Sequence, residues 1–212
     1  MLVKPERALP QEMRTLLLLS LLGTVLSAQP VLDGEIGEAE WYKAAKHAMT
    51  KSAILRLLPA GDVLYLSAQL PPSAWGHIYV FDGDAIQVLH VSAAIGRLRY
   101  RRKGEEWWTA DEFIWQLRDR VYSPALRAAQ DKYFDENGWV GTNNNMSGKQ
   151  FELKLRRAPG KAIRLAAVFA KDHAAEYYWP TNLADDTRNE TLLSGSPISS
   201  PRFDPATWAK VR

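Results

Sequence analysis

The residues of this chain best suited to chemistry are flat rings and guanidinium groups. Eight tryptophans occur in 212 residues. An indole has a broad apolar face and a polar edge, a surface on which the C–H face of a sugar ring can stack. Trp107 and Trp108 are adjacent. Neighbours on a strand point to opposite sides, so only one of the two can enter a core. The other is a candidate exposed platform unless a helical insert covers it. Trp41 reads as a plug at the core edge, and Trp75, Trp115, Trp139 and Trp179 fall in or beside expected loops.

Polar groups that could accompany such rings are also present. Asn143, Asn144 and Asn145 form an amide-rich run, suited to sugar hydroxyls or simply to a turn, and Asn182 follows the Trp179–Pro180 pair. Asp82 and Asp84 flank Gly83. Their carboxylates could accept from hydroxyls or offer hard oxygens to calcium, but the full calcium-loop pattern is absent and an ordinary turn is the simpler reading. Arg97, Arg99 and Arg101 alternate with Leu98 and Tyr100, and Arg102 and Lys103 follow. That pattern gives a strand with a basic face, able to meet an acidic polysaccharide or lipid phosphate. Its plainer reading is a charged edge that resists unwanted strand pairing.

Catalytic signatures are missing. The chain has no Gly-x-Ser-x-Gly, no His-Glu-x-x-His and no phosphate loop. A glycosidase needs only two carboxylates at a set separation, and nothing in the sequence singles out two. There is no cysteine, hence no disulfide, thiolate metal site or thiol nucleophile. Haem would need axial ligands such as His with Met; His47 with Met49, His90 and Met146 are the options. Net charge is +3. So weak a basic balance does not imply nucleic acid.

The elements that must position these residues are mostly strands. Segments 53–58, 63–70, 77–81, 85–91, 97–101, 139–142, 150–156 and 162–170 show short apolar or alternating patterns separated by Ala60-Gly61-Asp62, Pro71-Pro72, Asp82-Gly83-Asp84 and Pro159-Gly160 turns. Segment 38–45 has helix formers. Thr109-Ala110-Asp111-Glu112 has the form of a capping box, and Phe113 and Leu117 recur at helical spacing. A second helix is expected from Pro124 to about Phe134. These readings predict a mainly β fold, an antiparallel, jelly-roll-like β-sandwich over 29–186, with a helical insert around 109–135. Residues 187–212, polar and proline-containing, read as a loosely structured tail.

The chain opens with an export signal. Lys4, Arg7 and Arg14 precede the apolar run 16–26, and Ser27 and Ala28 follow. The run is about half of the ~20 residues needed to span a bilayer. A signal peptide over 1–28 is expected, with an uncleaved N-terminal anchor as the alternative. Export without cysteine suits a secreted or periplasmic protein of a bacterial envelope.

The order of several short motifs resembles family 9 carbohydrate-binding modules and the related DOMON-like sandwiches. The opening Val31-Leu32-Asp33-Gly34-Glu35-Ile36 followed by Trp41 resembles the start of those modules. Asp62-Val63-Leu64-Tyr65-Leu66, Gly83-Asp84-Ala85-Ile86-Gln87-Val88 and Phe151-Glu152-Leu153 are similar to the next landmarks, and Trp179-Pro180-Thr181-Asn182 to the late loop. The resemblance spans about 30–183. It implies carbohydrate as the partner, with two aromatic rings sandwiching a sugar; Phe81 and Trp179 are nearest to those two places. Ligand contacts are expected from Phe81, Asp82, Asp84, Trp107, Trp108, Asn143, Trp179 and Asn182, with Arg97, Arg99 and Arg101 as a basic patch. The resemblance also implies, as an alternative, a haem-binding or partner-binding DOMON-like envelope protein; a component of a polysaccharide-degrading enzyme system is a further alternative.

Overall fold

The computed structural model describes residues 29–212 except 93, 112–113, 119–122, 143–149, 173 and 194–195. Residues 1–28, expected to be a signal peptide, Asn143 and its neighbouring amides, and Met146 lie outside the described residues.

Two antiparallel sheets face each other, as the alternating patterns predict. The first has five strands: β1 (Ala45–Ala48), β2 (Ile54–Ala60), β3 (Val63–Gln69), β10 (Phe151–Arg156) and β9 (Trp139–Thr142), in the order β1-β2-β3-β10-β9. The second contains β4 (Trp75–Phe81), β5 (Ala85–Val91), β6 (Ala94–Lys103), β7 (Glu106–Thr109), β11 (Ile163–Lys171) and β12 (Ala174–Trp179), in the order β12-β11-β4-β5-β6-β7. Each edge of this second sheet is made by two short strands in tandem. β12 and β13 (Ala209–Val211) share the free side of β11; β7 and β8 (Ile114–Arg118) share the free side of β6. Splitting an edge this way leaves little continuous length for another strand to pair with.

Leu55, Leu57, Leu64, Leu66, Phe151 and Leu153 of the first sheet meet Ile78, Val80, Leu89, Val91, Leu165 and Phe169 of the second in the main core. Period-2 alternation produces this: each strand sends every second residue inward. Gly141 on β9 permits close approach of the sheets, because a Cβ there would sit 2.8 Å from Val91 Cγ2. Trp41, 1% exposed, belongs to this core as its sequence context predicts. Helix α1 is only Glu38–Trp41, shorter than the 38–45 helix former run.

The insert is half of what the sequence predicts. A helix, α2, spans Pro124–Asn137: Ser123 accepts from Leu126 N at its start, and Gly138, at φ 73°, closes it. The described residues of the capping-box segment before it do not form a helix. Residues 106–109 and 114–118 are strands paired to β6. The exposed backbone of β6 offers a ladder of hydrogen bonds there, and this tertiary pairing overrides the local helix signal.

The C-terminal stretch also departs from expectation. Instead of a loose tail, 183–193 and 196–208 lie across the outer face of the second sheet. Leu183, Leu192, Phe203 and Trp208 bury Tyr79, Val88, Leu98, Tyr100 and Trp107 in a second apolar cluster, and β13 then joins β11. The strands beneath it are apolar on both sides, so their outer side needed a cover. Among the described residues no helix is long and apolar enough to cross a membrane.

Candidate functional site

The second sheet is wider than the first, and this creates an open face. Ile95, Arg97, Arg99 and Arg101 are alternate residues of β6 and share one side. Ile95 is in the main core beneath the first sheet. Further along, Arg97 and Arg99 are half-buried and Arg101 is exposed. The β6–β7 ladder places Trp108 directly opposite Arg101, and β5 places Gln87 opposite Arg99. Directly paired residues point to the same side, so Gln87, Arg97, Arg99, Arg101 and Trp108 form one continuous surface.

Trp108 is 44% exposed, one of two large hydrophobic side chains so open among the described residues. Its indole N–H donates to Glu106 Oε2 at 3.2 Å, and Lys103 Nζ lies 5.6 Å from the ring centre. Arg99 has one distant carboxylate, Asp111 at 3.9 Å, and its buried Nε has no hydrogen-bond partner. The Tyr133 hydroxyl, brought close to Arg97 by α2, is buried and likewise unpartnered. Within the described residues Arg97 and Arg101 make no ion pair. Among the described residues the surface is thus a ring beside guanidinium groups with one distant carboxylate, each able to hold an oxyanion through two parallel N–H donors.

The other expected ligand contacts are dispersed. Trp107 points opposite to Trp108, as alternation requires, and is core: its N–H donates to the Phe203 carbonyl at 3.1 Å and Phe81 packs edge-on at 5.9 Å. Phe81 itself faces the C-terminal cover, whereas Trp179 packs toward the main core with its ring 4.9 Å from His47. Phe81 and Trp179 therefore lie on opposite faces of one sheet and cannot clamp a single sugar. Parity along β4 and β12 decides this. Asp82 Oδ1 accepts from the backbone N–H groups of Asp84 and Ala85, the ordinary work of an aspartate in a turn. Asn182 is exposed in the turn after Pro180, away from the arginine strip. A cleft of about 540 Å³ beside Lys51, Gln69 and Tyr177 also lies apart from that strip.

Two buried polar clusters escaped sequence reading. On the covered face of the second sheet, Ser92 Oγ, His90, His77, Tyr79 and the Thr187 carbonyl form a chain: Ser92 to His90 Nε2 is 3.0 Å, His90 Nδ1 to His77 Nε2 2.7 Å, His77 Nδ1 to Tyr79 OH 3.4 Å, and Tyr79 donates to Thr187 O at 2.9 Å. Ser92 donates to the Ala94 carbonyl at 3.1 Å and Tyr79 to Thr187, so the matching proton order has His90 Nε2 donating to Ser92 and His77 Nε2 donating to His90 Nδ1. Both rings are then neutral. Burial holds His77 well below the usual histidine range, with His90 adding to this, and burial brings His90 to about 4. His90 does not suit haem ligation, because both ring nitrogens are engaged and the ring is buried. The alternation of Ile86, Val88 and His90 put His90 on this face; only the hairpin register put His77 beside it.

The second cluster is a polar row on the outer side of the first sheet, where Arg56, Ser67, Glu152 and Thr142 are successive cross-strand partners. Glu152 is fully buried and accepts from Gly34 N at 2.6 Å. Burial lifts its carboxyl to about 8, so it is largely protonated at neutral pH. Through Tyr79 with Thr187 and Glu152 with Gly34, these two clusters tie the terminal segments to the sheets.

Comparison with known proteins gives no match to a family model, a curated protein or a solved structure.

Proposed function

We propose that this protein binds carbohydrate through the open strip of the second sheet, as an exported module similar in layout to family 9 carbohydrate-binding modules. The observation that carries this reading is the side-by-side placement of Trp108 and Arg101, both exposed, on one face of the second sheet. A solvent-facing indole supplies a stacking surface, and guanidinium and amide groups beside it supply planar donors for oxygens. The motif order from Leu32 to Asn182 supports the family likeness, but the binding surface differs from the two-ring clamp that the likeness implies. The apolar run after Lys4, Arg7 and Arg14 supports export.

The test is a glycan array probed with the full chain, followed by titration of the glycans that bind. Trp108→Ala is expected to weaken binding at least tenfold, while Phe81→Ala and Trp179→Ala leave affinity unchanged in the folded fraction. A chain that binds no glycan on the array refutes the reading, as does binding that Trp108→Ala leaves intact.

A further inference from the structure

We infer that the ligand of this strip is an acidic polysaccharide, one bearing carboxylate or sulfate groups along an extended chain. The inference rests on the carbohydrate reading above and names the class of sugar.

Three facts support it. First, Arg97, Arg99 and Arg101 are alternate residues on one strand, so their side chains leave the sheet about 7 Å apart in a straight row. A row of fixed cations matches a linear polyanion better than a single small anion. Second, among the described residues the row carries little neutralising charge. Among the described residues Arg97 and Arg101 have no carboxylate partner, and Arg99 has only Asp111 at 3.9 Å. A guanidinium that merely guards a sheet edge can point into water, but Arg97 and Arg99 are half-buried and Arg99 Nε is enclosed without a partner. Holding partly desolvated cations side by side is unfavourable unless an anion joins them. Third, Trp108 ends the row opposite Arg101. An inorganic anion or a lipid phosphate has no use for an exposed indole beside the charges, whereas a sugar acid presents a C–H face to the ring and its charge to the guanidinium. Gln87, facing Arg99, adds an amide suited to a hydroxyl.

The experiment compares polygalacturonate and dextran sulfate with neutral dextran, by affinity electrophoresis and calorimetry on the full chain. Three proteins are used: the native chain; the triple variant Arg97→Gln, Arg99→Gln, Arg101→Gln; and a control of equal charge loss elsewhere, Lys43→Gln, Lys161→Gln, Lys210→Gln. Near-ultraviolet circular dichroism checks that each is folded. The polyanions are expected to bind and dextran not to. Affinity should fall on the order of tenfold between about 50 and about 200 mM salt, as counterions released from the polymer are lost as a driving force. The arginine variant should lose binding at least thirtyfold and the lysine control less than twofold.

Equal loss in both variants would overturn the inference, because the location of the charge would then be irrelevant. So would equal binding of polyglutamate or anionic phospholipid vesicles with no effect of Trp108→Ala. Salt-independent binding of neutral glycans through Trp108 would overturn the acidic class while leaving the carbohydrate reading intact. Absence of binding to any glycan, charged or neutral, would remove both.

Discussion

His77 Nε2 and His90 Nδ1 lie 2.7 Å apart in a face that the C-terminal segment seals from water. One hydrogen fits between them. Protonating either ring places a charge in an apolar layer, so burial favours the neutral pair.

Acid should therefore unfold the protein through this pair. The folded state binds fewer protons here than the unfolded chain, so stability is complete above the free histidine value of 6.5 and is lost as pH falls from there toward about 4. His90 alone accounts for about 3 kcal/mol of that loss. Urea denaturation at a series of pH values measures it. The double variant His77→Leu, His90→Met is expected to flatten the acid limb.

Glu152 gives the opposite slope. Its carboxyl is raised to about 8 against an ordinary 4.5, so its contribution is complete below 4.5 and is lost as pH rises through 8. The full loss is about 5 kcal/mol. Glu152→Gln keeps an acceptor for Gly34 N and cannot ionise, so the variant should be more stable than the native chain at pH 8 and above. Thermal melting across that range is the check, and a native alkaline decline that persists in the variant would be the contrary result. Together the two groups place maximum stability near pH 6.5.

Asp185 is the clasp of the C-terminal cover. It accepts from Thr187 N and Oγ1, from Asp204 N at 2.8 Å and from the Trp208 indole at 2.8 Å. Asp185→Ala removes all four acceptor contacts and should cost about 3 kcal/mol. The predicted sign is selective: protease cutting should begin within 183–208, exposing Tyr79 and Tyr100, before the core strands open. Asp185→Asn, which keeps one acceptor oxygen, should show a milder form.

The adjacent tryptophans should separate stability from binding. Trp107→Ala deletes a buried ring and its bond to Phe203, at about 3–5 kcal/mol. Trp108→Ala removes an exposed ring and should change stability by under about 0.5 kcal/mol. Chemical denaturation of the two variants distinguishes them. A reversed order would mean that the pair sits the other way round on β7.

Much of this fold is legible in the sequence because strands announce themselves through period 2. Leu64, Leu66 and Ala68 point inward as their spacing says, and Ile86, Val88 and His90 share one side. Helix α2 begins at Ser123-Pro124 and stops at Gly138, each a local steric or capping signal. The site was partly legible. Adjacency alone showed that Trp107 and Trp108 must diverge, and alternation alone gave Arg97, Arg99 and Arg101 a common face. The capping box at Thr109 misled because its local preference is worth less than the ladder that β6 offers.

What the sequence determined by itself is each residue's side of its own strand, since that follows from backbone geometry over two residues. What only the tertiary structure decided is which sides end up together. Register between distant segments put His77 beside His90, set Trp108 against Arg101, and sent Phe81 and Trp179 to opposite faces. Whether a face becomes core or surface depended on how far the first sheet extends over the second and on where the C-terminal segment lies. Those are properties of long-range packing, in which many weak contacts far apart in the chain act together, and no local pattern encodes them.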